Sequence, residues 1–237
     1  MPAVSRTKRI DALMEEASQA LATTSYFKAE RQALKALELA RKAEDFDRMA
    51  RILLPLQEAR RQRTQTAFAV GTVTIVEEPW GERRKFEPGC YLFRPPVVGA
   101  DARAFRLAAH AAEAPVAVIC REPLTQMGLC PIVAISPGGT VRCKIRPPKA
   151  PDNPDLAWFA DAMEQLGEHA IDMLDPEMPT LKRLDTLLAR LDAVPEHEEL
   201  HQALAETCRV AAREMAEADA AQEGRPKKKP PARSKAG

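Results

Sequence analysis

The chain has 237 residues, 45% hydrophobic and 29% charged, with a net charge of only +1. That fits one sizeable core or two small ones, and no run reaches the roughly 18 apolar residues that a membrane helix needs. The charge is unevenly sorted: residues 1–66 and 67–150 carry +4 each, residues 151–224 carry −13 and residues 225–237 carry +6. Unlike parts and electrostatic partners are therefore expected. The polar N-terminus, MPAVSRTKRI, lacks the apolar centre of a secretory signal, so the chain reads as cytoplasmic.

Residues 1–66 read as three helices. Ile10, Leu13, Met14, Ala17 and Leu21 recur at helical spacing, and Thr23-Thr24-Ser25 breaks the pattern. A second helix carries a seam of small residues, Ala29, Ala33, Ala36, Ala40 and Ala43, that a neighbouring helix can approach closely. A third carries Phe46, Met49, Leu53 and Leu56, with Pro55 inside it predicting a kink. The segment ALKALELARKAEDFDRMARILLPLQEARRQ resembles a tetratricopeptide-type helical repeat over residues 26–62. The resemblance implies protein–protein contact, with Ala29, Ala33, Ala36 and Ala40 lining an interaction groove, and no chemistry of its own.

Residues 67–150 change character. AFAVGTVTIV, CYLFR, PVAVIC, CPIVAIS and TVRCKIR are short β-branched runs bounded by Gly and Pro. A helix over about 101–113, with Asp101 as its expected N-cap, interrupts them, and Pro137-Gly138-Gly139 marks a hairpin. The order β-β-α-β-β-β predicts a small α+β domain with a mostly antiparallel sheet. PPKAPDNP closes it as a linker.

Residues 151–221 read as three amphipathic, acidic helices, starting near Pro154, Pro179 and Pro195. They are free to form their own bundle or to clasp the N-terminal helices. Residues 222–237 form a basic tail with too little apolar content for a core and read as disordered. The fold class predicted is thus α+β: a helical hairpin region, a β-rich domain, an acidic helical region and a tail.

Three sets of residues carry possible function. His197-Glu198-Glu199-Leu200-His201 matches H-E-x-x-H and resembles zinc metallopeptidases over those five residues. The resemblance implies His197 and His201 as ligands and Glu198 as base. The match follows Pro195 directly, carries a charge at Glu199 and has no evident third ligand, His169 being one candidate. A second set is basic: Arg142, Lys144 and Arg146 alternate with Val141, Cys143 and Ile145 on one strand. Lys227, Lys228 and Lys229 lie in the tail, and Arg60, Arg61 and Arg63 form a third cluster. These suit phosphate contacts, although aromatic stacking platforms are missing from that strand. The third set is the five cysteines, an odd number without a C-x-x-C pair and mostly in apolar runs, as small buried hydrophobes are. Pairing of Cys120 or Cys143 with His110 as a nucleophile is disfavoured for that reason. The phosphate-loop and nucleophile-elbow motifs are missing.

The reading these observations favour is a non-enzymatic adaptor that binds another protein, with no cofactor, no resident metal and no membrane. The alternatives are a nucleic-acid-associated accessory protein and a zinc-dependent hydrolase.

Overall fold

The computed structural model describes residues 3–81 and 85–223. Three helices open it: α1 (Ala3–Ala22), α2 (Tyr26–Lys42) and α3 (Phe46–Phe68). α2 lies between the other two. Ala29, Ala33, Ala36 and Ala40 of its seam are fully buried, the last three with Ile10, Leu13 and Ala17 from α1 and Met49 and Leu53 from α3, while Ala43 lies exposed past the end of the helix. Ala29 packs separately with Ala20 and Ala59. The expected interaction groove is therefore corrected: small side chains let helices approach, and the chain's own helices occupy the seam.

The turn into α3 is built by Asp45. Its carboxylate accepts from the Arg48 N–H at 3.1 Å and from the Arg48 guanidinium at 2.7 Å. Arg48 also bridges to Asp11 of α1 at 2.8 Å. α3 continues through Pro55, held by buried Ile52, Leu53 and Leu56 on its core face. It runs to Phe68, so the expected boundary at residue 66 falls inside it.

Five strands form one sheet in the order β1-β2-β3-β4-β5: β1 (Val73–Val76), β2 (Gly89–Phe93), β3 (Val116–Arg121), β4 (Cys130–Ser136) and β5 (Gly139–Ile145). The expectation of a mostly antiparallel sheet is corrected to a mixed one. β1, β2 and β3 run parallel, and only the β3–β4 and β4–β5 pairs are antiparallel. The cause is connectivity: helix α4 (Gly99–Ala111) carries the chain from β2 back to the start of β3, the crossover that parallel strands require. Asp101 is not the N-cap of α4. Val98 holds that position, and its N–H donates to the Asp101 carboxylate at 2.9 Å. An acid in the first turn can serve by reaching back.

Alternation splits the sheet residues between two cores. Leu92, Ile119, Ile132 and Cys143 join the large core with the other helices, while Tyr91, Phe93, Cys120 and Val133 pack with Phe105 of α4. Phe86, Tyr91, Phe93 and Trp80 gather around Phe105 with ring centroids 4.7–5.4 Å from it.

Three further helices follow the sheet: α5 (Leu156–Asp172), α6 (Thr180–Ala193) and α7 (Glu198–Glu223). Asp155 caps α5, accepting from the Trp158 N–H at 2.7 Å. α7 packs along α3, so the terminal helices clasp rather than form a separate bundle. Ile10, Leu53, Leu92, Phe159, Leu187 and Leu204, from all three segments, belong to one core. The charge contrast is used at this contact, for example where Arg41 meets Asp185 at 2.8 Å.

His197 opens α7. Its Nδ1 accepts from the Leu200 N–H at 3.3 Å, and the ring packs directly against Gly167 of α5. A Cβ at position 167 would stand 2.1 Å from His197 Cγ. Gly167→Ala is therefore expected to lose about 1–3 kcal/mol by overpacking, read as a lower urea midpoint. An unchanged midpoint would mean that the α5–α7 contact yields without cost.

A candidate peptide groove along the edge of strand β5

Strand β5 is the last in the sheet, and its outer side is open. The Glu122 N–H donates to the Pro131 carbonyl at 2.9 Å, so Pro131 of β4 directs its backbone towards β3. Backbone direction alternates along an antiparallel strand. Ile132 and Ala134 therefore bond β5 through Cys143 and Val141, and the N–H and C=O groups of Thr140, Arg142 and Lys144 point away from the sheet. Among the described residues no backbone partner meets them.

Two clefts follow one another along this edge. The first, of about 710 Å³, has residues 138–141 on one side and Leu181, Lys182, Asp185, Thr186, Ala189 and Arg190 on the other. The second, of about 550 Å³, has residues 142–144 opposite Gln165, Glu168, His169, Asp172 and Met173. Each helix thus contributes one stripe at i, i+3/i+4 spacing, α6 to the first wall and α5 to the second. Seven edge residues span roughly 20 Å at the usual strand rise.

The geometry of the walls is fixed by local chemistry. Ser136 Oγ lies 2.9 Å from the Ala189 carbonyl and ties the β4–β5 turn to α6. Gly138 permits the approach, since a Cβ there would stand 2.5 Å from Ala189 Cβ. Arg190 holds α6 to α5 by donating to the Ala170 carbonyl and, at 3.4 Å, to that of Met173. Met173 and Leu181, 62% and 47% exposed, put apolar surface on the walls.

The three strand cations lie as the alternation predicts: Arg142, Lys144 and Arg146 are exposed, while Val141, Cys143 and Ile145 are buried. Arg142 is not bare, since Glu122 accepts two of its hydrogen bonds at 2.8 and 2.9 Å. The third basic cluster is corrected as a surface. Arg60 and Arg63 are buried, and Arg61 pairs with Glu58 at 2.7 Å. Lys227, Lys228 and Lys229 lie outside the described residues, as does the expected disordered tail beyond residue 223.

The histidines of the H-E-x-x-H match are buried and committed to other partners. His201 Nδ1–H donates to the His197 carbonyl at 2.9 Å, which leaves Nε2 to accept from Arg60 Nη1 at 3.3 Å. Burial, and then the Arg60 charge, push the His201 pKa down to about 3. A cation in place of that guanidinium would have to displace it. His197 spends Nδ1 on the α7 cap, and its Nε2 stands 3.4 Å from Glu164 in a direction unsuited to a hydrogen bond. Glu198 is exposed and accepts from Gln57 at 3.3 Å. His169 lies in the groove wall instead. Among the described residues no group of three or more His, Cys, Asp or Glu could hold a metal ion. The donor set therefore does not fit resident zinc.

Arg60 belongs to a buried network that spacing did not reveal. Glu30, 3% exposed, accepts from Arg60 Nε at 2.8 Å and from His110 Nε2 at 3.0 Å. Burial alone would raise the Glu30 pKa. Arg60, His110 and Arg63 together outweigh it and hold the carboxyl well below the usual carboxylate range. The only sequence signal was a charged residue on the small-residue helix, next to Ala29.

All five cysteines are reduced and buried. Burial pushes the Cys90, Cys120 and Cys208 thiols up to about 12 and Cys143 to about 11, the reverse of what a nucleophile needs. Among the described residues no helix is long and apolar enough to cross a membrane. Comparison of the chain with models of known families, with curated proteins and with solved structures finds no match.

Proposed function

We propose that this protein is a non-enzymatic adaptor that binds a protein partner by adding an extended segment of that partner to the free edge of β5. The observation that carries the reading is the row of outward backbone groups at Thr140, Arg142 and Lys144, beside an open groove walled by α5 and α6. Such an edge is a template for strand addition: backbone bonds supply affinity, and alternate side chains supply specificity. Lys144 and Arg146 share one face with Arg142, which Glu122 already neutralises, so cross-strand pairing at the first two favours a segment with acidic residues at alternate positions. The placement of the cysteines and of His201 in locked, buried roles is in keeping with a role without chemistry. So is the likeness of the α2–α3 hairpin to a tetratricopeptide-type repeat.

Fluorescence anisotropy with short labelled peptides of alternating Glu and Val tests this. Arg142→Pro removes an outward N–H and spares the β4 bonds. Lys144→Glu reverses a cross-strand charge. Each is expected to weaken binding at least about tenfold. Equal binding by both variants would overturn the reading. The nucleic-acid alternative rests on the same three cations. It is favoured instead if a single-stranded oligonucleotide binds with steep salt dependence, tolerates Thr140→Pro, which removes an outward N–H but no charge, and fails with Lys144→Glu.

A further inference from the structure

On the helical hairpin, outside the β5 groove, a cleft of about 510 Å³ opens where α2 begins. Arg63 of α3 lies in its wall. Its side chain is only 10% exposed, yet among the described residues it donates no hydrogen bond. Its Nε stands 3.1 Å from Glu30 Oε2 but off the donor direction. The Glu30 oxygens already accept from Arg60 and His110. The Arg63 guanidinium is instead stacked over Phe27, with Cζ 4.8 Å from the ring centroid. Two buried guanidinium groups thus share one carboxylate, and the buried Nε of Arg63 is left without a hydrogen bond. Buried donors are ordinarily satisfied, and leaving them unpaired costs free energy.

The rest of the cleft matches an anion. α2 begins there with no acidic residue in its first turn, and its N-cap Ser25 makes no capping bond with its side chain. The first-turn amides therefore face the cleft region with their partial positive charge uncompensated. Lys28 stands in that turn, exposed. Arg31 at the rim is neutralised by Glu113 at 2.6 Å, which leaves Lys28 and Arg63 in excess. Burial pushes the Arg63 pKa down from its ordinary value, with Glu30 and then Glu196 opposing. A bound anion would relieve that cost.

We propose that this cleft is a binding site for a phosphate monoester group, held by the Arg63 guanidinium, the Lys28 ammonium and the first-turn amides of α2. A tetrahedral dianion suits a guanidinium fork and a helix N-terminus together. The cleft has room for the small molecule or side chain that carries it.

The test uses the full chain. Inorganic phosphate is titrated at constant ionic strength by calorimetry, and the Arg63 Nε–H resonance is followed by NMR. Saturable binding is expected, with a shift of that resonance. Arg63→Met and Lys28→Ala should each weaken binding at least about tenfold. Lys28 is exposed, so its variant reports on the site even if Arg63→Met unfolds. Glycerol phosphate and a phosphoserine peptide, run in parallel, separate a small metabolite from a modified partner by which binds tighter. No saturable binding, or binding unchanged in Lys28→Ala, overturns the proposal. Neither outcome bears on the β5 groove, which phosphate does not probe.

Discussion

Glu30→Ala is expected to destabilise the protein by about 3–5 kcal/mol. The carboxylate is buried between α2, α3 and α4, where Arg60, Arg63 and His110 converge on it. Removing it leaves two buried guanidinium groups facing each other without a counter-charge. The penalty is then the cost of uncompensated buried charge rather than the net worth of the pairs. Glu30→Gln keeps the shape and one acceptor, so it should recover only part of the loss. A triple replacement, Glu30→Leu with Arg60→Met and Arg63→Met, should recover most of it, because it removes the charges as well as their partner. Urea unfolding monitored by circular dichroism measures all three. A loss below about 1 kcal/mol for Glu30→Ala would show that water reaches the site and screens it.

The second large effect is on pH dependence. His201 titrates at about 3 in the folded state, against 6.5 for the ordinary side chain. Between those values the unfolded chain binds a proton that the folded chain does not, so stability falls as the pH drops. The expected slope is about 1.4 kcal/mol per pH unit for this one site. Above pH 6.5 the contribution is fully present and flat. Glu30 acts lower: its depressed pKa contributes stability above the ordinary carboxylate range, and that contribution is lost only as pH falls below it. The window from about pH 6.5 to 5.5 is therefore dominated by His201. His201→Gln retains an acceptor for Arg60 and should flatten the slope there by about one proton. Parallel profiles for the two proteins would sink the assignment of His201 as a buried neutral base.

These two residues also show how the sequence misleads. His201 drew attention through its i, i+4 spacing from His197; His201 does lie in the first turn of α7, and His197 immediately precedes that helix. What spacing cannot supply is the third neighbour. Arg60 is 141 positions away in the chain, and it turns a would-be ligand nitrogen into a hydrogen-bond acceptor. Arg60 and Arg63 looked like part of a surface cluster with Arg61. On a helix, residues three apart share a face, and the two between them do not. Once α3 turned that face inward, the two became core cations and Arg61 alone stayed outside.

Periodicity by itself determined the helices, the order of the strands, the alternation of Arg142, Lys144 and Arg146 with Val141, Cys143 and Ile145, and the burial of the cysteines. Each is set by short-range spacing of apolar side chains, which a window of ten residues contains. Strand direction, the closing of the alanine seam, the clasp of α3 by α7 and the open edge of β5 were decided only by the tertiary structure. They depend on which faces meet over longer separations, from 17 residues between Val73 and Cys90 to 141 between Arg60 and His201. Many pairings of amphipathic faces bury similar area, and the choice among them is made by packing and by long-range partners such as Glu30 with Arg60, or Ser136 with Ala189. Both candidate binding sites lie in that second category, because a site is formed by what the packed elements leave uncovered.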